Sequence, residues 1–312
     1  VWRVIQMNGT AEYEILKGLK FKGMLGYYYA YNELDNQEFT YELYGYDEQK
    51  DNYYVTNRMS NPYRERNREK VEDQFSNFQL NFDRKFGKHA VVAVAGFEAS
   101  QRKRPKMWIH STPVSNAMDL IRLKEIQEFN DDGNRTEARM GYLGRINYSY
   151  ADKYLVELIA RWDGSWKFRP DNRWGFFPSA SLGWRVSEEN FWKESKIGEI
   201  VTNLKLRGSY GEVGDDAVSD YSAFDYLPGY NYNSGGAVID GNWVVGTSTR
   251  GLPNQTLSWM TAKILDIGVD LGFLNNRLNI QFDYFRRVRD GIPEPRYDVL
   301  IPNEAGFSLP KE

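Results

Sequence analysis

The sequence predicts an all-β chain that forms part of the wall of a transmembrane antiparallel β-barrel. Three observations lead there. Apolar and polar residues alternate with a period of two in about ten separate runs along the 312 residues. The connections between these runs are by turns very short and very long, which suits periplasmic turns and extracellular loops. Aromatic residues make up 15% of the chain, including 22 Tyr and 9 Trp, and they gather at the ends of the alternating runs.

Charged residues reach 27%, and the mean hydropathy of -0.65 has the look of a water-soluble protein. A membrane barrel reconciles the two signals, because only every second strand residue meets lipid while the others and the long loops face water. No run approaches the roughly 18 to 20 apolar residues that a spanning helix needs, so insertion has to be by closed strands. The chain has no cysteine, which removes disulfides, thiol nucleophiles and cysteine metal sites. A net charge of -3 gives no reason to expect a nucleic-acid partner. The first residues, VWRVIQMNGT, lack a basic segment followed by an apolar core, so no signal peptide is visible and an internal piece of a longer precursor is expected.

The alternation can be followed in order. In residues 19 to 31, Leu19, Phe21, Leu25, Tyr27, Tyr29 and Tyr31 share one face, with Lys20, Lys22 and Asn32 on the other. Residues 88 to 100 are less clean, because VVAVAG is apolar on both faces. In residues 139 to 150, Met140, Tyr142, Ile146, Tyr148 and Tyr150 oppose Arg139, Arg145, Asn147 and Ser149; in residues 154 to 163, Tyr154, Val156, Leu158, Ala160 and Trp162 oppose Glu157, Arg161 and Asp163. Phe176, Ala180, Leu182, Trp184 and Val186 then alternate with small and polar residues, as do Leu204, Leu206 and Tyr210. The sharpest pair comes last: Leu265, Ile267, Val269, Leu271 and Phe273, then Leu278, Ile280, Phe282 and Tyr284.

Tight turns are predicted at Lys17-Gly18, Phe86 to His89, Ala151 to Lys153 and Leu274 to Asn276; long polar loops are predicted near residues 33 to 67, 102 to 134, 164 to 175 and 212 to 257. Residues 188 to 203 are intermediate in length and predict a short helical turn on the periplasmic side. The aromatic clusters at strand ends, among them Tyr148, Tyr150, Tyr154, Trp174, Phe176, Phe191 and Trp192, fit interfacial girdles. The sequence closes on EAGFSLPKE, which does not read as an amphipathic strand able to pair with the first one. An open sheet in lipid leaves backbone groups unpaired, so further strands are expected from elsewhere.

The runs RINYSYADKYLVELIARWDGS, NRWGFFPSASLGWRVSEENFW, LKLRGSYGEVGDD and TLSWMTAKILDIGVDLGFLNNRLNIQFDYFRRVRDGI together resemble the barrel core of SusC/RagA-type TonB-dependent outer-membrane transporters. The resemblance spans nearly the whole chain, and the loop around residues 104 to 134 is its least diagnostic part. It implies a roughly 22-stranded barrel, a plug domain, a TonB box that couples to the inner-membrane energy complex, and a SusD-like surface lipoprotein as lid. The plug, the TonB box and the final strands are not read in these residues, which form part of one barrel domain. Trp166-Lys167-Phe168 departs from the family's DGSSRF-like pattern.

On that resemblance the expected function is active import of a glycan or oligopeptide nutrient across the Gram-negative outer membrane, without catalysis. A passive porin and a soluble β-sheet carbohydrate-binding protein or glycosidase stay open as alternatives. No catalytic residue, cofactor or metal is expected. His89 and His110 lack neighbours at ligand spacing, and Gly208-Ser209-Tyr210-Gly211 lacks the strand-to-helix setting of a nucleophile turn. The acid pairs Glu188-Glu189 and Asp215-Asp216 read as solvated loop acids, and Asn130 to Asn134 as a turn lacking the twelfth-position carboxylate of a calcium loop. Aromatic faces in outer loops suit sugar rings and peptide side chains alike, which makes Trp108, Trp166, Tyr230, Tyr232 and Trp243 the candidate ligand contacts. Inner-face charges such as Arg145, Arg161, Arg185, Arg207, Asp266 and Asp270 are expected to form wall-to-plug or cross-strand pairs rather than a selective pathway.

Overall fold

The computed structural model describes residues 1–60, 62–122, 126–131, 136–217 and 223–293. Its strands are β1 (Trp2–Leu16), β2 (Leu19–Glu38), β3 (Tyr41–Asp47), β4 (Asn52–Met59), β5 (Tyr63–Phe86), β6 (His89–Lys103), β7 (Lys106–Ser111), β8 (Ile126–Asp131), β9 (Thr136–Tyr150), β10 (Tyr154–Ser165), β11 (Trp174–Arg185), β12 (Val201–Asp215), β13 (Tyr230–Ile239), β14 (Asn242–Thr249), β15 (Met260–Phe273) and β16 (Leu278–Asp290). Two short helices, α1 (Asn190–Lys193) and α2 (Lys196–Ile200), lie between β11 and β12. None of the described helices is long and apolar enough to cross a membrane. The chain divides into two compact units.

The larger unit holds Thr10–Gly23, Asn77–Ala99 and everything from Arg139 onward. It holds β10, β11, β12, β15 and β16 whole and parts of β1, β2, β5, β6 and β9; the strand order β1-β2-β5-β6-β9-β10-β11-β12-β15-β16 follows chain order. The runs traced from alternation fall on eight of these strands, β2, β6, β9, β10, β11, β12, β15 and β16, whereas β1 and β5 are not read from it. The tight turns fall where the sequence places them. Ala151 and Asp152 (φ 52° and 57°), and Leu274, Asn275 and Asn276 (φ 52°, 56° and 63°), take the left-handed conformation that reverses the chain within a few residues. The predicted helical connection is present as a 3-10 turn at Val186–Glu188 followed by α1 and α2.

Register fixes the two faces. Tyr154, Val156, Leu158, Ala160 and Trp162 of β10 lie opposite Tyr150, Tyr148, Ile146, Gly144 and Tyr142 of β9 on one side and Trp184, Leu182, Ala180, Pro178 and Phe176 of β11 on the other. On the β12, β15 and β16 ladder, Leu206, Val269 and Phe282 continue this face. Its side chains stay exposed: Leu158 is 50%, Leu182 63% and Phe282 67% accessible. A stripe of open aliphatic and aromatic side chains on regular strands is a surface built for lipid. Two aromatic chains bound it. Tyr150, Tyr154 and Trp184 stack at 6.4 and 6.5 Å near the tight turns; Phe97, Tyr142, Trp162 and Trp174 run in contact at 4.9 to 6.3 Å at the other end. From Tyr154 to Trp162 the strand advances by about 27 Å, and a tilt of about 40° makes that a band of roughly 21 Å, close to the apolar height of an outer-membrane wall.

The smaller unit comprises Val1–Gly9, Met24–Ser76 and Ser100–Ala138. Here the sequence reading needs correction. The segments 33 to 67 and 102 to 134, expected as polar loops, hold the last residues of β2, the first of β5, the β3–β4 hairpin, and β7 paired between β5 and β8. In the larger unit the loop expected at 212 to 257 likewise contains the β13–β14 hairpin. The strands of the β3–β4 and β13–β14 hairpins are exposed on both faces, so nothing imposes a regular period on their side chains and alternation cannot report them. The smaller unit is tied by side chain to backbone bonds. Arg64, 3% exposed, donates to the carbonyls of Glu38, Tyr63, Asn116 and Met118 at 2.9 to 3.1 Å, and Asn116 bonds reciprocally with the backbone of Thr40. The expected turn at Asn130 to Asn134 runs beyond Asp131 into residues outside the described ones.

Candidate functional site

The face of the larger unit opposite the lipid stripe is charged and internally paired. Arg207 is its centre: the guanidinium reaches Asp283 at 2.6 Å, Asp270 at 3.0 Å and Asp266 at 3.5 Å, and Lys205 stands 3.9 Å from Asp270. Gly268 lies opposite Arg207 in register, and a Cβ there would strike the guanidinium, so the bare backbone lets the side chain lie flat and cross to β16. Arg145 donates to Glu157 at 2.7 Å, and Arg161 bridges Asp163 at 2.9 Å and Glu98 at 3.4 Å. These partly exposed pairs are each worth about 1 kcal/mol or less. Their importance is that they hold opposite charges in a fixed array along the wall. A shallow groove of about 410 Å³ opens on this face among Asn147, Glu157, Ser181, Arg207, Ser209 and Asp266.

At the end of the strands away from the tight turns lies a second construction, the densest packing in the larger unit. Phe168 is fully buried against Trp259 (5.6 Å), which meets Phe177 edge-on (5.3 Å). Leu257, Ala262, Phe177 and Trp166 are also nearly inaccessible. A methyl group at Gly214 would fall inside the Phe177 ring, which explains the glycine near the end of LKLRGSYGEVGDD. The connection from β10 to β11 is pinned to the segment before β15: Trp259 Nε1 donates to the Arg173 carbonyl at 2.9 Å, Ser258 Oγ to the Asn172 carbonyl at 3.0 Å, and Arg169 to Gln255 at 2.5 Å. The result is a braced platform at the base of the outer loops.

Asp216 locks this platform from one side. Its carboxylate accepts from Arg139 Nε at 2.6 Å and from Ser165 Oγ at 2.7 Å, while Lys167 Nζ donates to its carbonyl at 2.7 Å. Burial alone would raise the carboxyl's pKa, but the bonds from Arg139 and Ser165 outweigh it and hold the group below the usual aspartate value. Asp216 was expected to be a solvated loop acid and is instead 9% exposed. Its partners are 77 and 51 positions away in sequence, so a reading of neighbours could not find them. Asp216→Ala is expected to lose a charge-assisted bond worth about 1.5–3 kcal/mol. Amide exchange across residues 165–174 should then accelerate by about 10- to 100-fold; unchanged exchange there would contradict the lock.

Glu189 is the second corrected acid. It accepts from Lys153 Nζ at 2.8 Å, Tyr154 Oη at 2.7 Å and Trp184 Nε1 at 3.3 Å. These bonds, that of Lys153 foremost, hold its carboxyl at about 2, below the ordinary 4.5. A carboxyl with a depressed folded pKa stabilises fully above its unfolded value, and the contribution fades as pH falls toward the folded one. Cleavage between residues 189 and 200 by pepsin is expected to be faster in Glu189→Gln than in wild type at pH 4.5. The two rates should converge only near pH 2; convergence already at 4.5 would remove this anchor.

The sequence-nominated contact residues divide. Tyr230, Tyr232 and Trp243 lie on the β13–β14 hairpin and are 64%, 83% and 64% exposed. Trp166 is buried at the platform with its ring edge-on to Phe224 at 5.5 Å. Trp108, in the smaller unit, is half-buried on β7, stacked beside His110 at 6.0 Å, with Nε1 donating to Glu65 at 2.6 Å. Arg207 pairs across strands as expected, with Asp283 added to Asp266 and Asp270, whereas Arg161 is held mainly by Asp163 of its own strand and reaches Glu98 only at 3.4 Å.

The family model "TonB dependent receptor-like, beta-barrel" matches residues 7–307. The chain belongs to this family. Barrels of the TonB-dependent receptor family reside in the Gram-negative outer membrane, and the exposed apolar stripe is the surface that meets its lipid. Among the relatives of this TonB-dependent receptor barrel, TonB-dependent receptor P39 of Formosa agariphila is 32% identical over 95% of the chain. TonB-dependent receptor SusC of Bacteroides thetaiotaomicron is 40% identical over 48% of it. The chain spans 26% of the length of the first and 15% of the second. The solved RagAB peptide transporter matches all of the chain over 32% of its own, with a TM-score of 0.77 at 19% identity. That likeness shows the same fold.

Proposed function

We propose that the protein to which this wall belongs imports a nutrient, a glycan fragment or an oligopeptide, across the outer membrane by TonB-dependent coupling, working with a SusD-like surface lipoprotein. The observation that carries this reading is the family match over residues 7–307 together with a wall that is apolar outside and charged inside. A wall with paired charges of both signs suits a lumen that holds a plug, since fixed opposite charges offer hydrogen-bond partners to a polar surface without a net field. The exposed rings of Tyr230, Tyr232 and Trp243 suit a cargo with apolar faces, either pyranose rings or peptide side chains. Trp108 and Trp166 act from less exposed positions, Trp166 by supporting the platform from which the outer loops project. The family is one of receptors and transporters, and the reading contains no catalytic step.

The test is uptake of labelled oligosaccharides and oligopeptides by cells carrying the full-length protein, with and without the inner-membrane proton gradient. Saturable uptake that collapses when the gradient is dissipated supports the reading. Uptake proportional to concentration and indifferent to the gradient would mark a passive pore instead.

A further inference from the structure

The connection between β11 and β12 carries a surface that the transport reading leaves unused. It leaves the wall beside the aromatic chain of Tyr150, Tyr154 and Trp184, which stacks on the lipid-facing side. Glu189 Oε1 accepts from both Tyr154 Oη and Trp184 Nε1, so the backbone entering α1 is fastened to the girdle itself. From there the segment is rigidly folded. Trp192 turns back on the wall, its Nε1 donating to the Val201 carbonyl at 3.1 Å. Ser195 caps α2 by accepting from the Gly198 amide at 3.0 Å, and a Cβ at Gly198 would strike the Trp192 carbonyl. With Trp192 and Gly198 on the packed side, Phe191, Ile197 and Ile200 are left 60%, 60% and 64% exposed. Ile197 and Ile200 stand three residues apart on one side of α2. Lys196 lies beside them with Glu194 and Glu199, while Lys193 is paired with Glu188 at 2.6 Å.

Three large apolar side chains, held open by a segment that is itself tied to the wall by Glu189 and Trp192, call for an apolar environment. The geometry points to one. We propose that residues 189–200 form an interfacial foot of the wall, which lays Phe191, Ile197 and Ile200 into the headgroup and acyl boundary of the periplasmic leaflet, with Lys196 toward phospholipid phosphates. Continuity with the girdle decides for lipid over a protein partner: the exposed side chains begin at Phe191, two residues after the group that binds both girdle rings. Short amphipathic helices with Phe and Ile on one side and Lys beside them lie in this layer of a bilayer. The proposal rests on the outer-membrane placement of the chain and adds to it a contact beyond the strands.

The experiment uses the full-length protein in nanodiscs of phosphatidylethanolamine and phosphatidylglycerol, with a nitroxide on a single cysteine introduced by Ile197→Cys. Collision with oxygen, which concentrates in lipid, is compared with collision with a water-soluble nickel chelate. Leu182→Cys on the wall and Asp152→Cys in a tight turn serve as the lipid and water references. The expected result is an oxygen-to-nickel ratio at position 197 several-fold above that at 152 and close to that at 182. A ratio at 197 equal to that at 152 overturns the foot while leaving the wall intact. Shielding from both reagents would place a protein surface there and also overturns it. A water-like ratio at 182 would instead overturn the membrane wall on which the foot depends. Phe191→Cys, read the same way, keeps the test available should the variant at 197 fail to fold.

Discussion

Replacing Phe168 with alanine is expected to cost about 3–5 kcal/mol of stability, the range for deleting a fully buried phenylalanine. The ring has no accessible surface and lies against Trp259, whose indole is fixed by its bond to the Arg173 carbonyl and by Phe177. The cavity cannot close easily, because these neighbours are tied to two separate connections and Phe177 is itself confined against Gly175 and Gly214. Urea titration of the full-length barrel would give the overall loss, and amide exchange over residues 165–174 and 254–259 would localise it. A loss below about 1 kcal/mol would mean that the platform is not a packed core.

Leu158→Arg is expected to destabilise the barrel by about 2–4 kcal/mol, as for a cation on the lipid face near the bilayer midplane. Leu158 lies halfway along β10 between Tyr154 and Trp162, one in each aromatic chain, and half its surface is open. Ser181→Asn, on the neighbouring strand but opposite Glu157 on the charged face, is the matched control and should change stability by less than about 0.5 kcal/mol. The same titration in lipid vesicles checks both. Equal effects of the two substitutions would deny that the faces meet different solvents.

The wall was legible in the sequence because lipid on one side and water on the other impose a strict alternation. Leu265 to Phe273 and Leu278 to Tyr284 show it without exception, and β15 and β16 pair these faces, Phe273 opposite Leu278 and Ile267 opposite Tyr284. The outer hairpins were not legible, since both faces of Tyr41–Asp47 and Tyr230–Ile239 are largely exposed and nothing enforces a period. The site was legible in kind but not in its partners. Arg207 announces itself as an inward charge, yet its shortest contact, Asp283, lies two strands away. Asp216 and Glu189 looked like their solvated neighbours Asp215 and Glu188, because what distinguishes them is the company of residues distant in sequence. Trp166 likewise reads as an outer-loop contact, and Phe168 as part of the expected loop at 164 to 175, until the platform that encloses them is seen.

The coincidence of strand order with chain order bears on how this sheet comes into being. Each wall strand finds its partner at its own end of a turn, so the entropy of closing those turns stays small wherever they are tight. Pairing can therefore start at the Ala151–Lys153 and Leu274–Asn276 reversals and zip toward the outer loops. Assembly then advances like a growing ribbon, in which each hairpin presents its free edge to the next. The large outer excursions enter last, so their length can diverge between related proteins without delaying the step that commits the ribbon to the membrane.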